Sequence, residues 1–132
     1  MTRYVIDAPT LLHLVAKSAQ VNPKHQIVAP NLIRSQALSL LFEAVRHGDL
    51  TEEVALQHHE RFTELKMRLL GDRVSRGTAW KIAHEQGWET TYDAEYLRHK
   101  AAGDALVTID PELATKAKDV VPLAHFDALV AD

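Results

Sequence analysis

Hydrophobic positions along the chain follow two habits in turn. Short runs of apolar or β-branched residues alternate with longer stretches whose apolar positions fall three and four apart. Tyr4-Val5-Ile6 is a run of the first kind and ends on Asp7, so residues 3–7 read as a buried strand. Leu11, Leu12, Leu14 and Val15 follow helical spacing, which predicts a helix over residues 10–20 with Thr10 as N-cap and Asn22-Pro23 as its break. Ile27-Val28-Ala29 is a second strand candidate. Pro30 suits the first turn of a helix, and Ile33, Ala37, Leu40, Leu41 and Ala44 continue it as an apolar stripe up to Gly48. Gln36 lies within that stripe, which points it toward the body of the protein. Thr51 caps the next helix, and Val54, His58, Phe62, Leu65 and Leu69 carry its seam to Gly71. Residues 77–86 predict another helix, with Trp80 and Ala83 inward and Gly87 at its end. Trp88 to Tyr92 reads as extended, 94–102 as helix stopping at Gly103, and Ala105 to Ile109 as strand. Asp110-Pro111 opens a short helix. Val120-Val121-Pro122-Leu123 reads as a last strand, held to an edge by its proline.

Strands alternating with helices imply a three-layer α/β/α fold with a mostly parallel central sheet. The helices between residues 30 and 70 form a hairpin at one end of it. The 132 residues fit a single domain, 1–132, that holds a core without covalent staples. Cysteine is absent, which excludes disulfides and thiolate metal sites and suits a reducing, cytoplasmic compartment. The first residues lack the apolar segment of a signal peptide, and no apolar run nears the ~20 residues of a membrane span. No membrane partner is expected. The net charge of −3 argues against a strongly basic nucleic-acid coat but leaves local basic patches open.

The chemistry sits where strands end. Asp7, Asp93 and Asp110 each follow a segment read as extended. In a parallel sheet the carboxyl ends of the strands share one rim, where ligands bind. Three carboxylates there repel one another unless a cation lies among them. Oxygen donors without cysteine suit Mg2+ or Mn2+, and such a site activates water and clamps a phosphodiester. The plain alternative is that each aspartate only caps the helix that follows it.

In this order, Tyr4-Val5-Ile6-Asp7-Ala8, Ala29-Pro30 with a polar residue six further on, Tyr92-Asp93-Ala94-Glu95-Tyr96-Leu97 and Leu106-Val107-Thr108-Ile109-Asp110 resemble the successive blocks of PIN domains. The nearest resemblance is to the VapC-type ribonuclease toxins of toxin–antitoxin pairs, and it covers nearly the whole chain. The resemblance implies a PIN fold, Mg2+-dependent RNA cleavage with Mn2+ as substitute, homodimerisation and inhibition by a VapB-like antitoxin. It assigns Asp7 and Asp93 as inner metal ligands and catalytic acids, and Asp110 as a supporting one. Two positions depart from the pattern. The second acid, usually a glutamate, is Gln36, which carries no charge and cannot act as a base. Pro9 stands where a small hydroxyl residue is usual, leaving Thr10 to supply that hydroxyl, with Thr108 as a further supporting residue.

Basic residues Arg34, Arg46, Arg68, Arg73, Arg76 and Lys81 offer an RNA-facing surface, with Arg73 and Arg76 the best phosphate contacts; a solvated helix face is the plain alternative. Trp80 and Trp88 could stack on bases but more often fill a core. The eight histidines form no zinc motif, and no Gly-rich phosphate loop exists, so no nucleotide cofactor is expected. The expected function is a metal-dependent endoribonuclease toxin. The alternative is a PIN-like RNA- or antitoxin-binding module with weak or no turnover, because Gln36 replaces the second acid.

Overall fold

A computed structural model describes residues 2–71, 73–97 and 104–130, with the side chains of 73–75 left aside. Its elements run β1 (Thr2–Ile6), α1 (Ala8–Ala16), β2 (His25–Pro30), α2 (Ile33–Arg46), α3 (Glu52–Glu64), β3 (Arg68–Leu70), α4 (Arg73–Gln86), α5 (Tyr92–Leu97), β4 (Ala105–Val107), α6 (Pro111–Ala117), β5 (Leu123–Ala124) and α7 (Asp127–Val130). The five strands form one sheet in the order β3-β2-β1-β4-β5, and every pairing is parallel. The sheet is therefore wholly parallel, more uniform than the alternation of elements required.

Strand alternation builds two cores, one on each face. Tyr4, Ile6, Ile27, Ala29 and Val107 point to one side, against Leu11 and Leu14 of α1, Ile33 and Leu41 of α2, Phe62 of α3 and Leu129 of α7. Val5, Val28 and Leu106 point to the other, against Ala79 and Ile82 of α4, Leu97 of α5 and Leu113 of α6. Strands buried on both faces read as continuous apolar runs, which is why β1 and β2 stand out in the sequence. Helices α2 and α3 pack together as the expected hairpin, and both lie against α1. Thr51 caps α3 through the Val54 N–H at 3.2 Å. Gly48 ends α2 at a φ of +80°, the left-handed region that glycine enters without strain.

Several elements differ from the sequence reading. Helix α3 ends at Glu64, and Arg68–Leu70 leaves the helical seam to become the edge strand β3. The register Val28↔Arg68, Ala29↔Leu69, Pro30↔Leu70 shows what overrides the spacing: this segment completes the ladder of β2. Pro30 closes β2, so it opens no helix. Asp7, not Thr10, caps α1, because the helix starts two residues earlier than Thr10 with Pro9 in its first turn. Trp88 to Thr91 forms no strand, and Tyr92 opens α5, so Asp93 stands in the first turn of a helix. Strand β4 stops at Val107, and β5 starts only at Leu123, on the sheet edge. The predicted continuation of α5 through 98–102 to Gly103 lies outside the described residues.

Candidate active site

In the strand order, β2 and β3 lie to one side of β1 and β4 and β5 to the other. The topological switch point thus falls between β1 and β4, where open parallel sheets bind ligands just past their carboxyl ends. Asp7 follows β1 directly, and Asp110 follows β4 after Thr108-Ile109. A cleft of about 290 Å3 opens there, lined by Asp7, Ala8, Pro9, Gln36, Ser39, Leu40, Asp93, Tyr96, Asp110 and Leu113. Helix α2 brings Gln36 and Ser39, and α5 brings Asp93 and Tyr96 three residues later on the same face. A larger cavity of about 680 Å3, bounded by Asn22, His25, Lys66 and Arg68 among others, contains no acid and lies at the opposite ends of β2 and β3.

Asp7 is the most constrained acid. It is only 2% exposed. Its Oδ1 accepts the Thr10 N–H at 3.1 Å and the Thr10 hydroxyl, and its Oδ2 accepts the Thr108 hydroxyl at 2.5 Å. Thr10 Oγ1 in turn accepts the Ile109 N–H, and Thr108 Oγ1 accepts the Asp110 N–H. The two hydroxyls thus tie the ends of β1 and β4 together through one carboxylate. Burial pushes the Asp7 carboxyl above its ordinary pKa; the hydrogen bonds from Thr10 and Thr108 oppose this, and the nearby charge of Asp110 adds to it. A buried carboxylate that resists ionisation is stabilised by a positive charge beside it.

Asp93 already has such a charge. Lys116 of α6 donates to its Oδ2 at 2.8 Å, both side chains being 36% exposed. Lys116 also lies over the Trp88 ring, 5.6 Å from its centre, within cation–π range. The hydrogen bond and charge of Asp93 hold the Lys116 ammonium above its ordinary pKa. Asp110 caps α6 through the Glu112 N–H at 3.0 Å. The plain capping role therefore holds for Asp7 and Asp110, alongside their place on the cleft. Gln36 accepts a hydrogen bond from the Tyr96 hydroxyl through Oε1. Burial, then the charge of Asp7, pushes that phenol well above its ordinary value, so Tyr96 stays a donor.

Lys116, Tyr96 and Ser39 were not singled out by sequence reasoning. Tyr96 and Ser39 each lie three residues from a named candidate on the same helix, a spacing that could have found them. Lys116 pairs across 23 residues and left no local signal. Arg76 is exposed and does not line the cleft, and the Arg73 side chain lies outside the described residues. Trp80 is 71% exposed, so it is not a core residue; Ala79, Ile82 and Ala83 form the buried stripe of α4 instead. Trp88 packs against the core beside α4.

Among the described residues, no three acids or histidines form a ready metal cage. The donor chemistry still fits a hard cation: the polar groups of the cleft wall are carboxylate, amide and hydroxyl oxygens, and the buried Asp7 favours a neighbouring positive charge.

The fold is shared with solved structures. The crystal structure of PAE2754 from Pyrobaculum aerophilum matches with a TM-score of 0.71 and 26% identity, over 98% of this chain and 94% of that one. The structure of VapBC-1 from nontypeable Haemophilus influenzae matches with a TM-score of 0.61 and 16% identity, over 96% of this chain and 99% of that one. No family model matches the chain, and no curated protein does. The all-parallel sheet between helical layers and these likenesses define a PIN-like fold.

Proposed function

We propose that the chain is a Mg2+-dependent endoribonuclease, with Mn2+ as substitute, that acts as the toxin of a toxin–antitoxin pair. The observation that carries this reading is the gathering of Asp7, Asp93 and Asp110 on one cleft at the switch point of a PIN-like sheet. Asp7 and Asp93 would hold the cation, with Asp110 supporting them. A cation of this kind lowers the pKa of bound water and offsets the charge of a phosphodiester. The chain's own groups have separate tasks. Thr10 and Thr108 fix both oxygens of Asp7. Tyr96 fixes Gln36, which orients a water or substrate oxygen and takes no proton. Lys116 balances the charge of Asp93 and, once released from it, would be free for a phosphate oxygen. The likeness to VapBC-1 supports a VapB-like antitoxin as partner; a homodimer in the cytoplasm is the working form that goes with this reading.

One observation favours a second reading. An uncharged Gln36 and an Asp93 already paired with Lys116 leave less negative charge for a cation than four free acids would. That suits an RNA- or antitoxin-binding module with weak turnover. RNA incubated with the protein in Mn2+ and in EDTA separates the two. The nuclease reading expects metal-dependent fragments that Asp93→Asn abolishes. Intact RNA at high protein and Mn2+, with RNA affinity retained in Asp93→Asn, would leave the binding module.

A further inference from the structure

A second cleft, of about 420 Å3, opens beside the acid cleft between α4 and the start of α5. Its walls include Trp80, His84, Trp88, Thr90 and Tyr92, over Ala83. Trp80 is 71% exposed and Tyr92 66%, while Ala83, one turn from Trp80, is buried beneath them. Two large aromatics facing water across a cleft of ligand size are unusual in a chain with few aromatics. The cleft is linked to the acid site through contacts and chain continuity. Trp88 lies under Lys116, Lys116 holds Asp93, and Tyr92 immediately precedes Asp93.

We infer that this aromatic cleft receives a nucleobase of single-stranded RNA next to the phosphate engaged at the acid cleft. The inference takes its occupant from the nuclease reading and deepens it by naming the form of the substrate. Aromatic faces stack on any base and tolerate sequence changes. Glu89 also lines the cleft, which disfavours a phosphate there and leaves the backbone to the Lys116 side. Its carboxylate and the Thr90 hydroxyl supply acceptors for a base edge. A base paired in a duplex has no free face to offer, so a single strand or an unpaired loop is required.

The test is binding of a short labelled oligoadenylate in EDTA, followed by anisotropy and by quenching of tryptophan fluorescence. Wild type should bind the single strand and not the matching duplex. Trp80→Ala and Tyr92→Ala should each weaken binding roughly 5- to 150-fold, the effect of losing one stacked base, and Trp80→Ala should also lose much of the quenching. Leu56→Ala, at an exposed position of α3, should bind as wild type. Circular dichroism guards against misfolding; both side chains are exposed, so neither variant opens a cavity in the core. Equal binding of duplex, unchanged affinity in both aromatic variants, or no binding by wild type would each overturn the inference. So would a dimer that Trp80→Ala dissociates while RNA affinity holds, which would assign the face to a second copy of the chain. Cleavage in Mn2+ is scored separately: Trp80-dependent binding without cleavage removes the nuclease and keeps the base cleft, whereas cleavage with Trp80-independent binding does the reverse.

Discussion

Replacing Asp7 with asparagine should make the metal-free protein more stable while removing its response to metal. Three hydrogen bonds reach the Asp7 carboxylate, from Thr10 N, Thr10 Oγ1 and Thr108 Oγ1. Hydrogen bonds to a charged group are worth ~1.5–3 kcal/mol each at best, and burying an ion costs several kcal/mol. The carboxyl is nonetheless pushed above its ordinary pKa, so burial outweighs the bonds. An asparagine keeps the acceptor for Thr10 and offers an N–H2 to Thr108 Oγ1, which can rotate to accept it. The expected gain near neutral pH is on the order of 1 kcal/mol, or roughly 3–5 °C in Tm for a chain of this size. Such a trade of stability for function is common at buried functional acids. The pH dependence follows from the direction of the shift. In the unfolded chain Asp7 ionises at the ordinary carboxylate value; in the folded chain it does so only at higher pH. The folded state therefore binds the proton more tightly, and the associated stability is full below the ordinary value and declines as pH rises through the raised one. Thermal unfolding in EDTA across a pH series should show the gap between Asp7→Asn and wild type open over that interval and then stay constant. Added Mn2+ should raise the wild-type Tm and leave that of Asp7→Asn unmoved. A variant less stable than wild type at neutral pH in EDTA, or one equally stabilised by Mn2+, would refute the reasoning.

Two further substitutions probe the charges around the cleft. Lys116→Met should tighten Mn2+ binding several-fold in calorimetry, because Asp93 loses the cation that competes for it. The pair is partly exposed, so stability should change by less than about 1 kcal/mol; weaker Mn2+ binding would mean Lys116 positions Asp93 and does not compete. Gln36→Glu keeps the acceptor for Tyr96 and restores the missing acid, so Mn2+ affinity should rise and metal-free stability should fall. Unchanged or weaker affinity would show that position 36 is no part of the metal site.

The sequence disclosed most where local pattern and tertiary environment agree. Tyr4-Val5-Ile6 and Ile27-Val28-Ala29 are apolar on both faces because both faces are covered, and that is visible in one dimension. Arg68–Leu70 was hidden because Leu65 and Leu69 keep helical spacing, while a three-residue edge strand is decided by the ladder of β2. Trp80 misled because hydrophobic size is a poor guide to which side of α4 faces in; the small residues Ala79 and Ala83 allow the close approach to the sheet. At the site, Asp7 and Asp110 were legible from strand ends. Asp93 was found by its sequence block for a partly mistaken reason, since it stands on a helix and not after a strand. Thr10 and Thr108 were named as supporting hydroxyls, and both reach Asp7. Lys116 was illegible, because an ion pair between the first turn of one helix and the last turn of another has no sequence spacing of its own.

The central claim is that the acid cleft is a metal site, and a crystal grown or soaked with Mn2+ tests it most directly. The account predicts anomalous density for Mn2+ against the Asp7 and Asp93 carboxylates, with Lys116 withdrawn from Asp93. An anomalous map without density at the cleft at saturating Mn2+, with Lys116 still bonded to Asp93, would contradict it.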